Sequence, residues 1–118
     1  MDIFDQFEGT IEAPAKPRRF VFVLLEEFTM LCFSAAVESL RIANRMSGKE
    51  LYTWALVSED GAPVRCSAGI EFVVQHELID VLRDDTLMVC GGVHIKAASS
   101  KKIVNWLRRE SRRGPLIA

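Results

Sequence analysis

From Arg18 to Leu25 the sequence reads Arg-Arg-Phe-Val-Phe-Val-Leu-Leu, two basic residues followed by an unbroken β-branched and aromatic run. A strand with one wet face alternates apolar and polar side chains. A run that is apolar at every position has to be covered on both faces. Phe20–Leu25 therefore predicts a central strand of a largely parallel sheet. Parallel neighbours are joined by crossovers, usually helical, so the flanking sequence should supply helices.

It does. Glu26-Glu27-Phe28 reads as a turn, and Thr29 stands where it can cap a helix running to about Met46. Met30, Phe33, Val37 and Leu40 give that helix one apolar stripe, and Ser47-Gly48 ends it. Leu51 to Ser58 predicts a second strand, and Glu59 to Pro63 a turn. Val64–Ser67 and Gly69–Val74 are two short strands of a hairpin-like excursion around Gly69. His76 to Leu82 reads as a short helix, Asp84-Asp85 as a turn, and Thr86–Val89 as a strand leading into Cys90-Gly91-Gly92. Ser99 or Ser100 can cap a helix to about Arg113 with Ile103, Trp106 and Leu107 inward. Gly114 ends it, and Pro115-Leu116-Ile117-Ala118 reads as the opening of a buried strand. The chain is thus expected to be the first part of a larger domain. The order β-α-β, a β excursion, then β-α-β predicts a doubly wound α/β fold with a largely parallel sheet, incomplete at the C-terminus. Sites in such sheets lie at the carboxyl ends of the strands, where Glu26–Cys32 and Cys90–His94 both fall.

Composition excludes several classes. The 118 residues carry a net charge of -1, so the chain as a whole has no polyanion footprint. No apolar run approaches the ~18 residues of a membrane-spanning helix. The acidic start (Asp2, Asp5, Glu8, Glu12) is unlike a signal peptide, which points to the cytoplasm. Cys32, Cys66 and Cys90 are odd in number and lack CxxC spacing, against a disulfide framework or a zinc ribbon. Residues 1–17, with Pro14 and Pro17, read as a flexible leader in which Phe4 and Phe7 could dock on a partner.

Several stretches in this order carry a resemblance. They are Phe20–Leu25 with Phe28-Thr29-Met30-Leu31; Ala35-Ala36-Val37-Glu38-Ser39-Leu40-Arg41-Ile42-Ala43-Asn44-Arg45; Tyr52-Thr53-Trp54; Ser58–Val64; Ser67-Ala68-Gly69-Ile70; and Leu87-Met88-Val89-Cys90-Gly91-Gly92. Together, over roughly Phe20 to Ala118, they resemble the ThiJ/PfpI, class I glutamine-amidotransferase-like domain of flavodoxin-like fold. More closely, they are similar to its version at the N-terminus of GlxA-type AraC-family transcriptional regulators. The resemblance implies a ligand-sensing and dimerisation domain, cut short. It implies a small nitrogenous metabolite, such as an amino acid or a quaternary amine, as effector, and a homodimer as the assembly. DNA would be bound only through helix-turn-helix motifs that this sequence does not contain.

Enzymes of the superfamily place a nucleophilic Cys on the elbow after the strand that Leu116–Ala118 would begin. They also place an acidic residue early in the first helix, a position that falls here on Cys32. The resemblance thus implies a binding pocket and no catalytic residue. A cysteine hydrolase or amidotransferase-like enzyme with its nucleophile beyond residue 118 is the alternative. Ligand-binding positions are expected at Phe28, Thr29, Cys32, Gly91, Gly92 and His94. Gly91-Gly92 matches the superfamily's oxyanion-hole glycines, or serves only as a tight strand-to-helix turn. Cys90 reads as a buried neutral thiol and His94 as a solvated loop residue or a ligand contact. Cys90, His94 and His76 lack metal-site spacing, and no cofactor is expected. The basic run Lys101, Lys102, Arg108, Arg109, Arg112 and Arg113, broken by Trp106 and Leu107 and diluted by Glu110, reads as a solvated outer helix face.

Overall fold

The computed structural model describes residues 16–118. Apart from Lys16 and Pro17, the expected leader, with Phe4 and Phe7, lies outside them. Along the chain run β1 (Arg18–Leu24), α1 (Met30–Ser47), β2 (Tyr52–Val57), β3 (Val64–Arg65), β4 (Glu71–Phe72), β5 (Thr86–Cys90), α2 (Ile95–Ala98), α3 (Lys101–Ser111) and β6 (Leu116–Ile117). The main sheet has the order β2-β1-β5-β6 with every pairing parallel, so the all-apolar β1 is central, as its sequence requires. β3 and β4 pair antiparallel as a separate hairpin.

Alternate residues of β1 serve two cores. Val21 and Val23 pack with Val57, Val81, Leu87, Ile103 and Trp106, beneath α3. Phe22 and Leu24 pack with Phe28, Phe33, Leu40, Val64 and Cys66, beneath α1 and the hairpin. One helix therefore covers each face, the doubly wound arrangement. In the second core Phe22 and Phe33 meet edge to face at 5.3 Å, and Phe72 closes on Phe28 at 5.1 Å and Phe33 at 5.7 Å. The hairpin is thereby fastened to α1.

The expected stripe on α1 is present: Phe33 and Leu40 are buried, with Met30 and Val37 half-buried beside them. Gly48 ends the helix at φ 69, and its N–H donates to the Arg45 carbonyl at 3.2 Å. Thr29 occupies the N-cap in extended conformation, but its side chain makes no capping bond. Ser100, not Ser99, caps α3, its Oγ accepting from the Ile103 N–H at 3.2 Å. Asn44 ties the end of α1 to β2: its Oδ1 accepts from the N–H groups of Leu51 and Tyr52, and its amide donates to the Tyr52 carbonyl.

Three expectations need correction. The helix expected over His76–Leu82 is absent. His76 is drawn into a parallel bridge with Val57, its carbonyl accepting from Ser58 at 3.1 Å, and the Ile79 carbonyl accepts from the Trp106 indole at 3.0 Å. A seven-residue helix offers too few internal bonds to compete with these. A short helix not expected, α2, fills the loop after Gly92. The last strand is not buried. β6 pairs with β5 alone among the described residues, and Leu116 and Ile117 are exposed while Pro115 is covered.

Candidate functional site

β1 and β5 end side by side, with Leu24 opposite Cys90 as their last register pair. The Leu25 N–H donates to the Cys90 carbonyl at 3.0 Å, and after the turn the Thr29 N–H donates to the Gly91 carbonyl at 3.1 Å. The start of α1 is thus fastened to the loop leaving β5. The two segments expected at the carboxyl edge lie against each other.

The turn between them is held from three sides. Glu27 has φ 61 and is the one non-glycine residue with positive φ among the described residues. Such a conformation costs of order 1–3 kcal/mol and persists where the surroundings enforce it. Here the Glu27 N–H donates to the Arg65 carbonyl at 2.8 Å, and the Ser67 N–H donates to the Phe28 carbonyl at 2.9 Å. The β3–β4 hairpin therefore fixes the turn. On its other side Gly92 approaches so closely that a Cβ there would stand 2.5 Å from the Glu27 carbonyl oxygen and 3.4 Å from Thr29 Oγ1. This supplies the geometric reason for glycine at 92, which the sequence left open between a tight turn and an oxyanion hole. A carbonyl oxygen facing Gly92 makes a poor neighbour for an oxyanion and a good one for a positive group.

Side chains add to that sign. His94 Nε2 lies 3.4 Å from Glu27 Oε2, both groups well exposed, so the pair is weak. Beside the turn is a cleft of about 170 Å³ whose walls include Glu26, Ser58, Glu59 and Asp60. Glu59 Oε1 accepts from the Ser100 hydroxyl at 2.8 Å. Gly91, Gly92 and His94 adjoin the turn but do not line this cleft.

The expected residues divide as follows. Thr29, Gly91, Gly92 and His94 are brought together with Glu27. Phe28 is nearby, but its ring is fully buried and belongs to the core. Cys32 is exposed on the first turn of α1, and Cys66 is buried. Burial pushes the Cys90 thiol from 9.0 up to about 11, with repulsion from Cys32 adding to it, so Cys90 is protonated at neutral pH. Among the described residues no group of three or more His, Cys, Asp or Glu is placed to hold a metal ion, and no helix is long and apolar enough to cross a membrane. Sequence reading placed Glu27 in the turn at the carboxyl edge but not among the ligand-binding positions. Its signal, a non-glycine residue forced to positive φ, exists only in three dimensions.

No protein-family model matches the chain. It is 37% identical over 98 residues to the HTH-type transcriptional regulator GbdR of Pseudomonas aeruginosa, covering 83% of this chain and 27% of that protein. It is 30% identical over 98 residues to the HTH-type transcriptional regulator GlxA of Rhizobium meliloti, covering 82% and 30%. The chain thus spans under a third of the length of these curated relatives. A solved AraC family transcriptional regulator from Pseudomonas putida superposes with a TM-score of 0.71 at 27% identity, over 86% of this chain and 54% of that one. A ThiJ/PfpI family protein from Pseudomonas syringae superposes with a TM-score of 0.62 at 16% identity, over 86% and 41%, a likeness of fold alone.

Proposed function

We propose, with the chain homologous to a segment of HTH-type AraC-family regulators and folded as ThiJ/PfpI proteins are, that residues 18–118 are the N-terminal part of such a regulator's ligand-sensing domain. The homology is the observation that carries this reading. The whole protein would act in the cytoplasm as a homodimer and contact its promoter through a helix-turn-helix region. The domain is non-catalytic: Cys32 stands at the superfamily's acidic position and cannot supply a carboxylate.

The effector is a small metabolite with a positively charged nitrogen. The Glu27 carbonyl and the carboxylates of Glu26, Glu27, Glu59 and Asp60 make the carboxyl edge electronegative, which suits an ammonium group and repels a free anion. A response requires the effector to bind one arrangement of the domain better than another.

Isothermal titration of the protein with a panel of free amino acids and quaternary amines tests this. One class should bind saturably, with affinity reduced tenfold or more by Glu27→Gln. Failure of every member to bind, or steady turnover of an amide substrate, overturns the reading.

A further inference from the structure

Seven of the chain's fifteen lysines and arginines lie between residues 96 and 113, against one acid, Glu110. In sequence that run is interrupted by Trp106 and Leu107 and diluted by Glu110. The fold removes all three from its surface. Ile103, Trp106 and Glu110 are the buried face of α3, Leu107 packs beside them, and Glu110 has no exposure at all. Two arginines face Glu110: Oε1 lies 3.4 Å from Arg109 Nη2, and Oε2, which accepts no hydrogen bond among the described residues, lies 3.6 Å from Arg113 Nε. Asp80 stands 3.5 Å from each of the same two arginines. Two acids thereby neutralise Arg109 and Arg113.

The remaining cations are uncompensated. At 3.6 residues per turn, positions 101, 105, 108 and 112 fall within roughly 40° of one line, opposite the buried face. That line reads Lys101, Asn105, Arg108 and Arg112, all exposed, with Lys102 beside it. None of these cations makes an ion pair among the described residues. With a rise of ~1.5 Å per residue the line is ~16 Å long. Duplex DNA presents phosphates every ~3.4 Å of axis along each strand, so the line spans about five phosphates. A row of cations on one rigid helix, with no acid on its own line and Glu77 only at its flank, across the cleft from Lys102 and Asn105, is complementary to that repeat.

We infer that the outer face of α3, through Lys101, Arg108 and Arg112, binds the phosphate backbone of duplex DNA without regard to sequence. The inference rests on the regulator reading for its partner, since a domain tethered to a DNA-binding region would hold this face near the duplex. It is a contact additional to the helix-turn-helix region. Its cations do not line the acidic cleft, although α3 begins beside it, with Ile103 in the cleft wall and Ser100 bonded to Glu59.

The test is fluorescence anisotropy of a labelled duplex of arbitrary sequence with the 118-residue protein. Binding should be measurable at ~50 mM salt, with log K falling against log salt at a slope of about -3, as three to four phosphate contacts give. Lys101→Gln with Arg108→Gln and Arg112→Gln should weaken it at least tenfold and flatten the slope, with circular dichroism unchanged. Arg41→Gln with Arg45→Gln, on α1, should leave it unaltered. Absence of binding by folded protein at ~50 mM salt, equal binding by the triple variant, or tighter binding of a poly-glutamate peptide than of the duplex would each overturn the inference. Effector titration on the same samples separates the two readings: no DNA binding by the unsubstituted protein, with its effector binding intact, sinks this inference alone.

Discussion

Cys90 and Gly92 sit two residues apart, and the fold gives them opposite constraints, one on charge and one on volume. Folded Cys90 holds its proton more tightly than an unfolded thiol, at about 11 against 9.0. Its stabilising contribution is therefore complete below pH 9 and lost as pH rises through about 11, on the order of 2 kcal/mol for a half-buried group. Urea unfolding at pH 8 and at pH 10.5 should show this loss, and Cys90→Ala should reduce it. A thiol reagent at neutral pH should modify Cys32 first and leave Cys66 and Cys90 slow, which peptide mass mapping reads directly. At Gly92 the conflict is steric. Gly92→Ala places a Cβ 2.5 Å from a main-chain oxygen that cannot move without disturbing the strained Glu27 turn, and should cost about 1–3 kcal/mol. Gly91→Ala meets the flexible end of Ile95 instead, at 2.7 Å, and should cost less.

Among the elements, the two long helices begin differently. α3 starts with a made cap, Ser100 Oγ to the Ile103 N–H; α1 starts with Thr29, whose hydroxyl caps nothing and whose N–H is taken by Gly91. Ser100→Ala should lower stability by about 1 kcal/mol, and Thr29→Ala by clearly less, as thermal unfolding of the two variants will show. Asn44 is worth more than either. It satisfies three backbone groups at the junction of α1 and β2, so Asn44→Ala should cost about 1–3 kcal/mol. At α1 the sequence placed the cap residue, and at α3 it narrowed it to Ser99 or Ser100. Whether its side chain would be used depended on what packed beside it.

For the whole molecule, coverage is uneven. The middle of the sheet is enclosed by α1 and α3, but β6 lies at an edge with Leu116 68% and Ile117 36% exposed. An exposed apolar edge strand pairs with other chains. Light scattering of the 118-residue protein should show concentration-dependent self-association, suppressed by Leu116→Lys with Ile117→Lys. A single monomeric species at every concentration would contradict this. Charge is also uneven, with acids around the carboxyl edge and uncompensated cations along α3, although the net charge is only -1.

The period of the apolar residues was enough to determine the α/β class, the central strand and both long helices, and to put Glu26–Cys32 and Cys90–His94 at the carboxyl edge. Periodicity records which side chains need cover, and cover dictates layers. Composition could not foresee that the segment 76–82 would bridge to β2, since that depends on a competing edge. Nor could it foresee that Phe72, 50 residues from Phe22, would close an aromatic cluster. Only the tertiary structure turned Glu27 to positive φ, set its carbonyl against Gly92, and withdrew Glu110 from the surface of α3. Each outcome follows from contacts between residues far apart in sequence, and such contacts exist only once the sheet has assembled.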